Sequence, residues 1–120
     1  MVDKVNLAEK FALFSDHYKP HVVGEVNDCQ VKLVKLAGEF VWHHHETEDE
    51  MFFVVRGQLT MHFRDRAVEV APGEFIIVPR GVEHKPAAGE ETEIMLFEPR
   101  TVLNTGNVVN ERTVAELERI

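Results

Sequence analysis

From Val22 onward the apolar residues fall into short runs separated by Gly, Pro, Asn and Asp. The runs are Val22–Val26, Cys29–Leu36, Phe40–His45, Glu50–Arg56, Leu59–Arg64, Ala67–Val70, Phe75–Val78 and Glu93–Glu98. Asn27-Asp28, Gly38, Gly57, Asp65-Arg66 and Pro72-Gly73 punctuate them. Strand signals that recur every eight to twelve residues or so, rich in β-branched and aromatic side chains, predict an all-β barrel or sandwich. The two ends differ. Leu7, Phe11 and Phe14 form one stripe of a short helix over Asn6–Phe14, with Asn6 as its N-cap. Near the other end Thr113-x-x-Glu116 has the form of a capping box, and Val114, Leu117 and Ile120 follow as an apolar stripe. That predicts a second short helix. The chain thus divides into a helix and lead-in over residues 1–21, a barrel over 22–99, and a loop with a terminal helix over 100–120.

Strand parity sorts the faces. Glu50, Phe52 and Val54 share one side of their strand, and Met51, Phe53 and Val55 the other. With Glu50 inside, Val41, Phe52 and Val54 are expected to line the interior as an apolar wall that offers no obvious acid or base. The outward set is apolar as well, where an isolated barrel would show polar residues. A cover is required: the N-terminal helix, a second subunit, or both. A homodimer is the expectation.

Composition narrows the partners. The 120 residues carry a formal charge of -8, with 44% hydrophobic residues and a mean hydropathy of -0.19. That balance suits a soluble domain and argues against nucleic acid or an anionic membrane surface, both of which attract Lys and Arg. Cys29 is the single cysteine, so an internal disulfide is excluded and a packed core thiol expected. No signal-peptide pattern and no long uncharged apolar stretch is present, and the cytoplasm is the expected compartment.

The chemistry is concentrated in Gly38–Gly57, which reads GEFVWHHHETEDEMFFVVRG. On a strand His43 and His45 point the same way, about 6–7 Å apart at Cα, and His44 points to the opposite face. Two imidazoles on one face make a clamp for a metal, and the next strand opens with the carboxylate of Glu50. A later segment, Pro72–His84, brings His84 after a Pro79-Arg80-Gly81 turn. The reading is one divalent metal held by His43, His45, Glu50 and His84. His17, His21 and His62 lack a partner at ligand spacing and are expected outside the site, the first two in a solvent-exposed loop. Trp42 faces away by parity.

These residues resemble the two motifs of the cupin superfamily, small double-stranded β-helix or jelly-roll barrels. The first motif runs glycine, His-x-His, three or four residues, Glu and a later glycine, matched here by Gly38, His43, His45, Glu50 and Gly57. The second is matched by Gly73, Pro79-Arg80-Gly81 and His84, with Ala88 where that motif often ends in Asn. The compact spacing between motifs resembles the small single-domain bacterial members, including those labelled as similar to mannose-6-phosphate isomerase. The resemblance implies a jelly-roll cupin barrel and supports the four-residue metal set.

Three imidazoles and a carboxylate suit Fe, Mn, Zn, Ni, Co or Cu. An octahedral ion keeps two positions open beyond four protein ligands, enough for a bidentate small molecule. A tetrahedral zinc would be filled. Two function classes follow: a metal-dependent enzyme on a small polar molecule, with dioxygenase or isomerase chemistry, or a non-catalytic sensory barrel. A Tyr, Lys, Asp or His inside the barrel beside the metal would favour the first.

Overall fold

The computed structural model describes residues 2–120. A five-residue helix α1 (Leu7–Phe11) precedes eight strands. They are β1 (His21–Val26), β2 (Cys29–Glu39), β3 (Glu50–Arg56), β4 (Leu59–Phe63), β5 (Ala67–Val70), β6 (Phe75–Val78), β7 (His84–Pro99) and β8 (Glu118–Arg119). The path β5-β4-β7-β2-β1-β8 is continuous, and β3 bridges β6 and β7. All ladders are antiparallel except β1 with β8. The result is a jelly-roll barrel.

β7 holds it together. It is 16 residues long, pairing with β4 through its first turn of residues and with β2 and β3 through the rest. The sequence pattern shows only its apolar end, Glu93–Glu98; the earlier part contains Lys85, Pro86 and Gly89, which hide a strand from any periodicity. Inward residues of the four central strands fill the interior, among them Val34, Phe52, Leu59, Met61, Ile94 and Leu96. Burying each such side chain contributes about 1.5–3 kcal/mol before chain entropy is counted. The β3–β4 turn at Gly57 (φ +96°) lies so close to β7 that a Cβ there would sit 2.8 Å from Thr92 Cα.

Several expectations change. The N-terminal helix is shorter than Asn6–Phe14, although Asn6 Oδ1 does cap it by accepting from Glu9 N at 3.0 Å. Phe40–His45 is not a ladder strand; its backbone is irregular apart from one bridge at His43. His21 is buried at 4% exposure, opening β1 with its ring stacked on Phe14. His17 stays near the surface beside Glu91. Cys29, at the start of β2, is half-buried instead of packed in the core.

The terminal helix is absent. Thr113 Oγ1 accepts from Asn110 N at 3.0 Å and meets Thr105 Oγ1 at 2.6 Å, so it is not free to cap a following turn. Asn104 Oδ1 takes the Val114 N–H at 2.8 Å. A helix of so few residues is not stable alone, and these side chains offer its backbone other partners. The segment ends extended, with Glu118 and Arg119 beside His21 and Val22 of β1.

Candidate metal centre

Two ligand-bearing residues sit on regular strands. Glu50 opens β3 with Phe52 and Val54 on its inward face, and His84 opens β7. The other two, His43 and His45, lie in the irregular link between β2 and β3. His43 and His84 exchange both backbone hydrogen bonds, at 3.0 and 2.9 Å, and His45 O accepts from Gly81 N at 2.7 Å. Behind the link, Asn107 grips the His44 backbone twice: its Oδ1 accepts from His44 N at 2.8 Å and its N donates to His44 O at 3.0 Å. Alternation of side chains therefore survives without a ladder strand.

One potential ligand atom from each of His43, His45, Glu50 and His84 lies within 4.8 Å of the other three. All four residues are buried. Their hydrogen bonding fixes which atoms face inward. Nδ1 of His43 lies 2.9 Å from Val41 O, and Nδ1 of His84 lies 2.9 Å from Val82 O. A carbonyl can only accept, so Nδ1 carries the proton and Nε2 keeps its lone pair. His45 Nε2 and His84 Nε2 approach Glu50 Oε1 at 2.8 and 3.3 Å, yet none of the three atoms has a properly directed hydrogen bond. A buried polar atom left in that state costs about 1–3 kcal/mol. A divalent cation among the lone pairs removes the cost, and the buried His-His-Glu-His cluster fits such an ion.

Electrostatics agree. Burial, reinforced by the neighbouring His84, lowers the His43 pKa to about 4, so its imidazole is neutral at ordinary pH. Burial pushes the Glu50 carboxyl up, but His45 and His84 beside it outweigh that and hold it well below the usual carboxylate range.

The wall is not wholly apolar. A half-open cavity of about 40 Å³ adjoins the cluster, lined by Phe40, His43, Phe52, Lys32, Glu50 and Glu98 among others. That is room for about three waters, or for the head of a small molecule. Of the expected wall residues Phe52 lines it, whereas Val54 and Val41 pack in the core alongside. Lys32 and Glu98 form an ion pair at 2.8 Å with side chains only 1% and 2% exposed. Lys32 stands opposite Leu96, and Gln30 opposite Glu98, so the pair is a diagonal contact on the inward face of β2 and β7. Burial first, then the nearby Glu50 charge, raises the Glu98 pKa well above the carboxylate range. Tyr18 adds a third polar group, its hydroxyl donating to Gly38 O at 2.5 Å. The signal for Lys32 and Glu98 is the same parity that places Glu50: Lys32 shares a face with Val34 and Leu36, and Glu98 with Ile94 and Leu96.

The remaining histidines lie elsewhere. His44 turns outward to Glu46 at 2.9 Å, and His62 is half-buried on β4 opposite Ala67 and Lys85. Trp42 faces away from the cluster, under the Arg64 guanidinium at 3.8 Å from its ring centre. Among the described residues no helix is long and apolar enough to cross a membrane.

A jelly-roll barrel whose interior carries three histidines and one glutamate around a common point has the form of a β-barrel with a candidate divalent-metal site. The Cupin domain model matches residues 31–108, and the chain belongs to that family. A cupin-2 domain containing protein from Shewanella frigidimarina is similar at 51% identity and a TM-score of 0.79, the match covering 80% of this chain and 94% of that one. The uncharacterized protein YdbB of Bacillus subtilis is 37% identical over 78 residues, 64% of this chain and 63% of its own. Acireductone dioxygenase of Bacillus thuringiensis is 32% identical over 93 residues, 66% of this chain and 55% of its own. The chain therefore spans a little over half the length of these curated relatives.

Proposed function

We propose that this chain is a metal-dependent cupin enzyme in which His43, His45, Glu50 and His84 hold one divalent transition metal and a small polar molecule binds beside it. The observation that carries the reading is the set of buried, undonated atoms on His45, Glu50 and His84, in a cluster whose His43 and Glu50 line a cavity shared with Lys32 and Glu98. Bound there, the metal supplies Lewis-acid polarisation of coordinated oxygens and, if it is iron, redox chemistry. The chain's own residues do the rest. Phe40, Phe52 and Leu96 exclude water from one side of the cavity. Glu98 lines the same cavity, and the burial that raises its pKa suits its carboxyl to giving a proton to a bound molecule.

Lys32 and Glu98 place ionisable groups on the wall beside the ion, the acid–base feature that supports an enzyme over a sensory barrel. The similarity to acireductone dioxygenase supports dioxygenase-type chemistry within that reading. The test is elemental analysis of protein purified without a histidine tag, followed by dioxygen uptake on addition of an acireductone. About one metal per chain and uptake are expected. Full metal occupancy with ligand binding but no turnover across enediol and oxo-acid substrates would instead leave a binding barrel.

The same reading includes a homodimer. Met51 and Phe53 face outward on β3, and on its neighbour β6 Phe75 and Ile77 are 57% and 54% exposed. Helix α1 does not serve as their cover, since it docks on β2. Light scattering should give twice 13.8 kDa; a monomer would remove the dimer.

A further inference from the structure

Lys32 is anomalous as a structural residue. Its ammonium is almost fully buried, yet it makes one hydrogen bond among the described residues, to Glu98 Oε2. An ammonium has three N–H donors, so two are unspent on the wall of a cavity that opens beside the metal cluster. Glu98 Oε1 accepts from no N–H, and the Glu50 carboxyl lies beside Glu98. One step beyond the Met51–Phe97 pair on the β3–β7 ladder, Glu50 and Glu98 come face to face. The cavity is thus lined by Lys32, by the candidate ligands His43 and Glu50, and by apolar Phe40, Phe52 and Leu96.

The charge balance gives the sign of what fits. A divalent ion and Lys32 against the carboxylates of Glu50 and Glu98 leave one positive charge in excess. A proton on Glu98 would only increase that excess, so the sign does not depend on its protonation. In a low-dielectric cavity an uncompensated charge is costly, and an anion of opposite sign relieves it. Four protein donors on an octahedral ion leave two positions, which suit two adjacent oxygens of one molecule.

We propose that the cavity selects a small organic monoanion that presents two adjacent oxygens to the metal, a 2-oxo or 2-hydroxy carboxylate being the simplest, and that Lys32 reads its negative charge. This rests on the metal reading above. In the resting protein Glu98 Oε2 is the acceptor that holds Lys32 in place, at 2.8 Å. When the anion enters, the unspent N–H groups turn to it. Lys32 is a specificity-determining residue, and Glu98 sets how strongly it is available.

The test uses pyruvate and its neutral analogue pyruvamide, which share the 2-oxo and adjacent carbonyl oxygens. Each is titrated calorimetrically into metal-loaded protein whose metal content is fixed by elemental analysis. Wild type should bind pyruvate at least about tenfold more tightly than pyruvamide, the strength of one charged hydrogen bond. Lys32→Met should lower that ratio by about tenfold, leaving only the metal's own preference for a carboxylate, and Glu98→Gln should keep the preference and tighten pyruvate. A pair with a purely structural role would shift both variants the same way, with no change in selectivity. Should Lys32→Met fail to melt cooperatively, Lys32→Met/Glu98→Gln replaces it, since no unpaired charge remains there. Should that also fail, Glu98→Gln decides alone: weaker pyruvate binding overturns the proposal. Metal-loaded wild type without preference, or Lys32→Met with an undiminished ratio, also overturns it. Wild type that takes up no metal fails differently, because then the metal centre itself falls and the Lys32 role falls with it.

Discussion

The candidate metal centre is assembled from two kinds of backbone. Glu50 and His84 sit at the starts of β3 and β7, inside ladders that pair over many residues. His43 and His45 sit on a link whose one bridge is His43 with His84, and whose back is held by the loop around Gly106 and Asn107. Ladder strands place a side chain by repetition, so no single bond decides the outcome. The link has few bonds, and each one matters. Damage on the two sides should therefore read out differently: as lost stability on the strands, and as lost metal affinity at the link.

The largest effect needs no distinction between them. His45→Ala removes an inward lone pair and should cut the metal content of purified protein by about tenfold or more, measured by elemental analysis. The two glycines that touch these regions then separate them. Gly106 has φ +57°, and a Cβ there would stand 2.2 Å from His44 O and 3.0 Å from His43 Cδ2. Gly106→Ala must push the histidine link, so metal affinity should fall by about tenfold to a hundredfold, as for other residues that orient ligands. Gly57→Ala meets Thr92 on β7 instead, at 2.3–2.9 Å with φ +96°. Its cost should be about 2–4 kcal/mol of stability from strain and overpacking, with metal affinity per folded molecule unchanged. Equal metal loss in both glycine variants would break the comparison. Asn107→Ala is milder. It deletes one bond to the His44 N–H and leaves the backbone bond to His44 O, so a loss of metal affinity below about tenfold is expected by competition with a chelator.

The strands were legible where alternation was clean, as in β3 and β4, because burial on one face imposes a period of two. The link was misread as a strand, since its alternating histidines satisfy parity while its hydrogen bonds go to Gly81, His84 and Asn107. Those partners are distant in sequence, and no local pattern reports them. The terminal segment failed for a similar reason: Asn104 and Thr105 capture the residues that a capping box would use. Lys32 and Glu98 are a different case. A charged residue within an apolar strand looks like its solvent face until both strands are placed in one sheet, and only the β2–β7 register puts the two side by side.

His44 gives the smallest effect and the sharpest test of the link. It lies between two of the histidines whose lone pairs converge, and a reading by proximity alone would include it. Its imidazole instead bonds Glu46 at 2.9 Å at the surface, while its backbone carries both Asn107 contacts. His44→Ala deletes only the imidazole, so metal content should match wild type and stability should move by no more than about 0.5 kcal/mol. His44→Pro acts on the backbone instead. It removes the N–H that Asn107 accepts, and metal affinity should fall although the same side chain has been lost. If Ala and Pro at this position bind metal equally well, the loop behind the link does not position it, and the contrast with the strands would have to rest on Gly106 alone.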